Sequence, residues 1–388
     1  MNIMNSCYSF LTYIFQMIVP VKLCAVHPYT YITSGNMPFW FYLLPLFLAA
    51  LFALVLISAK KSREYLFGFL FYAVTISVML KLVPVGDSLV NERYTYISFI
   101  GLFFIGGHIY SCYSNNIQWR YLAHGLLISA LVVLSILSVQ RISTWKNNYT
   151  FWEDVTKKYP DYWRGYYGLS VQYYKTGDLD GTFENVNMAC QRNPAAAPYA
   201  MRGNLYLEKF KNYDLAIADF NKVLSFNEKD SPFNMVAHLN LGIAWSNKGD
   251  FARADSEYAK TILLYPDYPL AYIRRGTMYA DNLERYDEAV ACFLKALILD
   301  PNQKEAAMGI GYCYLKKNMT TEAISAFTRI ISADNSDGRP YFFRALAFAQ
   351  AGRYKDAYSD GLKSKQLGFK INEKDLESWK SLWTHRPH

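Results

Sequence analysis

The sequence predicts an all-α chain: a polytopic bundle of transmembrane helices followed by an α-solenoid of about six stacked helix pairs. Two observations carry that prediction. Charge is divided unevenly, with seven Lys/Arg and three Asp/Glu in residues 1–140 against 33 and 29 in residues 141–388. In the second part, small and aromatic residues also recur in one frame, unit after unit. So sparse a charge excludes an ordinary soluble surface for the first part, while the second is compatible with one. The formal net charge of +8 is spread thinly. No Lys/Arg cluster of the kind that tracks phosphates accompanies it, which argues against nucleic acid as a partner.

The membrane part is read as residues 1–140. A helix crosses the hydrocarbon core with about 20 mainly apolar residues, because its backbone must satisfy its own hydrogen bonds. Four segments meet that requirement: 39–57, 65–83, 94–112 and 121–139. Trp40, Tyr94, Tyr96, Tyr110, Trp119 and Tyr121 gather at their ends, as an interfacial belt requires. A fifth apolar stretch, 8–26, is interrupted by Gln16, Pro20 and Lys22. It is read as an interfacial or re-entrant helix, with a full crossing as the alternative. Lys60, Lys61 and Arg63 between the first two spans, and Arg120 between the last two, assign those loops to the cytoplasm. Loop 84–93 and everything after the fourth span then face outward. That side is the periplasm for a bacterial inner membrane and the lumen for an endoplasmic-reticulum membrane.

After a linker helix in 141–160, residues 161–369 repeat. In each unit a small residue is followed three positions later by an aromatic, then by a second small residue and usually a second aromatic. A helix-breaking residue closes the unit. Gly242, Trp245, Ala254, Tyr258 and Pro266 make one unit; Gly276, Tyr279, Ala289, Phe293 and Pro301 make the next. The aromatics Tyr173, Tyr206, Trp245, Tyr279, Tyr314 and Phe348 are spaced 33, 39, 34, 35 and 34 residues apart. Small residues let two antiparallel helices approach where they cross, aromatics fill the gap beside the crossing, and Pro ends the second helix. This is the pattern of tetratricopeptide repeats, whose units bury their apolar faces only by stacking. Residues 370–388 are read as a helix capping the last unit.

The inner face of such an array is formed mainly by first helices. The residue after the small landmark is Asn204, Ile243, Thr277, Tyr312 and Leu346 in successive units. That series is neither an asparagine ladder nor a basic clamp. It reads as a mixed, rather apolar groove suited to an extended protein or peptide partner. No phosphate loop, metal motif or nucleophile elbow occurs, so no catalytic residue, metal or cofactor is assigned. The six cysteines form no CxxC pair, and His108 and His124, in neighbouring spans, are read as packed between helices. The outward loop places Asp87, Glu92 and Arg93, followed by Tyr94, at the outer mouth of the bundle. A guanidinium there could take a lipid phosphate on its fork of donors, or pair with Glu92 as an anchor.

The stretch Glu92-Arg93-Tyr94-Thr95-Tyr96 through Leu102 resembles a segment of the transmembrane-and-tetratricopeptide-containing O-mannosyltransferase family and its bacterial multi-pass relatives. Glu92 replaces that family's Asp, and Phe99 departs from its form. Trp145-Lys146-Asn147 with Phe151-Trp152-Glu153-Asp154, and the earlier Val19-Pro20-Val21-Lys22-Leu23 with His27-Pro28-Tyr29, resemble it in the same order. The resemblance implies a GT-C-like glycosyltransferase relationship, with a polyprenyl-phosphate-linked sugar as donor. In that family the catalytic acid lies in a first outward loop that has no counterpart here. The chain is therefore expected not to be catalytic alone and to act as a membrane-anchored scaffold that binds a polypeptide partner; the alternative is a functional portion of such a glycosyltransferase, completed by a separate or missing N-terminal segment.

Overall fold

The computed structural model describes residues 2–20, 23–24, 26–28, 39–77, 80, 88–90, 96–192, 195–226 and 232–384. The chain divides into two compact units, Met1–Pro194 and Ala195–His388. The described residues are helical almost throughout.

The first unit opens with α1, Asn2–Ile18. This helix begins at Asn2, ahead of the expected stretch 8–26, and ends at Ile18, just before Pro20, which disfavours a helical conformation at the residue preceding it. Its Phe10 and Tyr13 are buried against Phe69 and Tyr72, and the Tyr72 hydroxyl donates to the Phe10 carbonyl at 2.8 Å. A 3-10 turn, Phe39–Leu43, leads into α2, Leu44–Ala59. Then follow α3, Arg63–Ser77, α4, Tyr96–Ser114, and α5, Arg120–Thr144. Among the described residues three helices are long and apolar enough to cross a membrane: Phe41–Ala59, Tyr96–Ser114 and Arg120–Thr144. For the expected span 65–83 the described helix is the 15-residue α3, and residues 78, 79 and 81–83 lie outside the described residues. Helices α3 and α4 touch through Gly68 and Gly101; a Cβ on Gly68 would stand 2.6 Å from the Gly101 carbonyl oxygen. Small residues give membrane helices this close backbone approach.

One short departure from an all-α chain is an antiparallel pairing of β1, His27–Pro28, with β2, Ser88–Val90. Beyond the spans, α6, Asn148–Lys158, starts on a capping box in which Asn147 accepts from the Thr150 N–H at 2.9 Å. Thr150 Oγ1 in turn accepts from the Asn147 N–H at 3.3 Å, closing the box. The first helix pair of the array, α7, Trp163–Lys175, and α8, Leu179–Cys190, completes this unit.

The second unit continues the pairs: α9, Ala196–Glu208, with α10, Tyr213–Ser225; α11, Pro232–Asn247, with α12, Phe251–Leu264. Then come α13, Pro269–Asp281, with α14, Tyr286–Leu299; α15, Lys304–Lys316, with α16, Thr320–Ala333; and α17, Gly338–Gln350, with α18, Tyr354–Gln366. Within a pair the landmark glycine of the first helix meets the landmark aromatic of the second. A Cβ on Gly203 would lie 2.8 Å from the Phe220 ring, on Gly276 2.9 Å from Phe293, and on Gly311 2.6 Å from Phe327. Ala216, Ala254, Ala289, Ala323 and Ala357 on the second helices are fully buried. The last helix, α19, Glu373–Thr384, buries Leu376 and Trp379 beside Phe348 and Ala357.

Candidate functional site

Successive first helices touch one another, α9 with α11, α11 with α13, α13 with α15 and α15 with α17. They therefore form the inner layer of the second unit. Asn204, Ile243, Thr277, Tyr312 and Leu346 all lie half-buried on them.

Three cross-links join neighbouring first helices, and each has a different chemistry. Asn240 Nδ2 donates to Asn204 Oδ1 at 2.7 Å, joining α11 to α9. Arg274 Nη1 donates to Glu305 Oε1 at 2.7 Å, joining α13 to α15. The rings of Tyr312 and Phe343 meet edge to face at 6.0 Å, joining α15 to α17. Tyr312 and Leu346 are brought together in a cavity of about 520 Å³, walled also by Leu315, Lys316, Phe343, Ala349 and Gln350. Ile243 instead packs against the apolar cores on either side of it.

Asn240 and Arg274 escaped the sequence reading. That reading took one position per helix, the residue after the glycine. Residues three apart share a helix face, so position 240 is as much on the inner face as position 243. Asn204 and Asn240 form one amide pair, drawn from two different positions of the repeat.

Deeper ion pairs hold the layers together. Arg202 on α9 grips Asp219 on α10 through two hydrogen bonds of 2.8 Å. Arg275 and the Tyr279 hydroxyl reach Asp255 on the preceding second helix at 2.7 and 2.6 Å. Burial would raise the Asp255 carboxyl, but these donors overcome it and hold it below its ordinary range. At the end of α13 the Asp281 carboxyl is pushed up by partial desolvation, with Lys316 pulling in the opposite direction.

The candidates of the outward loop, Asp87, Glu92, Arg93 and Tyr94, lie outside the described residues. Their neighbours in sequence are described. Ser88–Val90 pairs with His27–Pro28, and the chain just before that strand is tied to α6, where Lys158 Nζ donates to the Leu23 carbonyl at 2.6 Å. Lys158 and Arg141 converge on Asp154, the Arg141 bond measuring 2.8 Å. The two histidines have different partners: His108 lies 3.1 Å from Ser62 Oγ, and His124 lies 2.8 Å from the Tyr110 hydroxyl. Among the described residues no group of three His, Cys, Asp or Glu side chains is placed to hold a metal ion.

With this geometry in view, family models described as tetratricopeptide repeat match residues 196–230 and 278–340. The chain carries tetratricopeptide repeats. It is 22% identical over 323 residues to the human protein O-mannosyl-transferase TMTC3, covering 76% of this chain and 33% of that relative. It is 26% identical over 150 residues to a DnaJ homolog subfamily C member 7 homolog of Dictyostelium discoideum, covering 38% of this chain and 28% of the other. The chain thus spans about a third or less of either relative's length. Among solved structures, the APC/C hetero-tetramer Cut9-Hcn1 aligns with a TM-score of 0.49 at 16% identity, covering 60% of this chain and 46% of that one.

Proposed function

We propose that this is a membrane-anchored protein whose tetratricopeptide repeats hold a polypeptide partner along the inner face of α9, α11, α13, α15 and α17. The carrying observation is the sequence of facing groups there, from the Asn204–Asn240 pair to the cavity shared by Tyr312, Phe343 and Leu346. Amide pairs serve peptide backbone, and apolar hollows serve side chains. A photoreactive amino acid placed at Thr277 or Tyr312 in the full chain should form polypeptide adducts in cells. The same group at Lys222, exposed on α10, should not. Equal adducts from both positions would overturn the assignment to the inner face.

The anchoring rests on the three long apolar helices, and the basic loop residues Lys60, Lys61, Arg63 and Arg120 support an extracytoplasmic array. A reporter fused after His388 should report an extracytoplasmic location; strong cytoplasmic activity would refute that orientation.

A second reading is favoured by the similarity to TMTC3, which extends over 76% of this chain. In it the chain forms part of a polyprenyl-phosphate-sugar-dependent O-glycosyltransferase. Arg93, with Asp87, Glu92 and Tyr94, contacts the lipid-phosphate donor while the repeats present the acceptor. Arg93→Ala should then abolish the glycosylation the assembly supports at unchanged protein level; undiminished glycosylation would return Arg93 to an anchoring role.

A further inference from the structure

The inner face changes character along its length. The earlier first helices contribute Asn204, Asn240, Arg274 and Thr277, and the later ones Tyr312, Phe343 and Leu346. We infer that the cavity between α15 and α17 is a subsite for one large apolar side chain of a bound polypeptide, with an acidic group of that polypeptide seated on Lys316. The inference rests on the inner face being a polypeptide site and specifies what it selects.

Size and rigidity come first. At about 520 Å³ the hollow is large enough to enclose a Leu, Met or Phe side chain, and it falls within the range of small binding pockets. Its wall is anchored to the core, since Phe343 stacks at 5.8 Å on Phe327, which is fully buried. An apolar group entering it meets a preformed surface, so little ordering cost offsets the gain from burial. Such a rigid aromatic hollow is where anchoring side chains concentrate binding energy.

Charge decides the second half of the inference. The lining includes Lys316 and the amide of Gln350 and no carboxylate. The Lys316 ammonium stands 5.5 Å from the centre of the Tyr312 ring, which holds the cation beside the aromatic wall. Neighbouring cations are engaged: Arg274 with Glu305, Lys304 with Asp334 and Lys317 with Asp287. Lys316 is exposed and makes no ion pair among the described residues; Asp281 on the preceding first helix senses it electrostatically. A cation beside an aromatic wall attracts a carboxylate next to the anchoring side chain and repels Lys or Arg there.

The test uses the full chain in lipid nanodiscs and fluorescein-labelled decapeptides on a Gly-Ser frame with a central Phe-Asp, Ser-Asp or Phe-Lys pair. Fluorescence anisotropy should show the Phe-Asp peptide binding at least tenfold more tightly than the other two. Leu346→Glu, and the milder Leu346→Ala, should remove the advantage of Phe over Ser. Lys316→Glu, at an exposed position, should invert the preference between Phe-Asp and Phe-Lys. Similar affinities for all three peptides, all weakened by Asn204→Ala or Arg274→Ala but not by changes at Leu346 and Lys316, would overturn the subsite and leave the inner face as the binding surface. Absence of binding by every peptide, with no adducts from Thr277 or Tyr312, would overturn both.

Discussion

Arg202 and Asp219 form a two-point clasp between the helices of one repeat, with Nε and Nη2 each 2.8 Å from a separate carboxylate oxygen. The Asp219 side chain retains only 7% of its exposure and Arg202 17%. A pair so buried gains little over apolar residues of similar shape, but removing one partner strands the other. Asp219→Leu is therefore expected to lower stability by about 3 kcal/mol. The double change Asp219→Leu with Arg202→Met should recover most of that loss. Urea unfolding of the detergent-solubilised chain, followed by pulse proteolysis, measures both; an equal loss in the single and double variants would refute the stranded-charge account.

The landmark glycines support a packing prediction. A Cβ at Gly276 would stand 2.9 Å from the Phe293 ring, which is itself almost fully buried. The ring is enclosed on all sides but a sliver of its surface, so overpacking is the expected outcome. Gly276→Val should cost about 1–3 kcal/mol, and the partner change Phe293→Leu should restore part of it. Thermal unfolding of the two single variants and the double variant would test the coupling, which additive losses would contradict.

These two features differ in how visible they are in the sequence. The glycine and its aromatic recur at matching places in successive units, so Gly203 with Phe220 and Gly276 with Phe293 stand out as a pattern. The arginine recurs just before the small landmark in all three clasps, while the carboxylate keeps one place, three residues after the buried alanine, only at Asp219 and Asp360. Arg202 takes Asp219 and Arg344 takes Asp360 within their own pairs, whereas Arg275 takes Asp255 from the preceding pair. Their carboxylates follow no single spacing, and periodicity passes over them. Asn240 was hidden for a related reason, since its partner Asn204 occupies a different place in the repeat. The pairing of His27–Pro28 with Ser88–Val90 is too short to show the alternation by which a strand is read. Among the described residues, three of the four expected spans meet helices long and apolar enough to cross a membrane, because that property is a matter of composition over a whole helix, whereas the end of α1 depends on one residue, Pro20.

The turns inside the repeats contain a correctable strain. Gly177, Gly249 and Gly352 occupy them with φ of 79°, 83° and 73°, while Lys211, Glu284 and Asn318 adopt 52°, 54° and 58° at the corresponding turns. A side chain costs about 1–2 kcal/mol in this left-handed region, and Asn bears it most easily. Glu284→Gly and Lys211→Gly should each stabilise the array by about 0.5–1 kcal/mol after the extra freedom of glycine in the unfolded chain is offset. Asn318→Gly should change it least. Urea midpoints would show the order, and a loss of stability in Glu284→Gly would refute the strain.

Acid should loosen the repeats in a direction set by Asp255 and Glu257. Both carboxyls are buried enough to be raised, yet both are held below their ordinary ranges: Asp255 by Arg275 and Tyr279, Glu257 by His238 and Lys260. A carboxylate that binds its proton more weakly in the folded than in the unfolded chain stabilises the fold above its unfolded value, about 4. That contribution is lost as pH falls through the lower folded-state value. Unfolding midpoints should therefore be flat above about pH 5 with respect to these two groups and decline below about pH 4. Asp255→Asn should lower the neutral-pH midpoint and flatten the decline, because it removes the charge that Arg275 requires. Parallel acid profiles for the variant and the parent chain would show that Asp255 is not a source of the linkage.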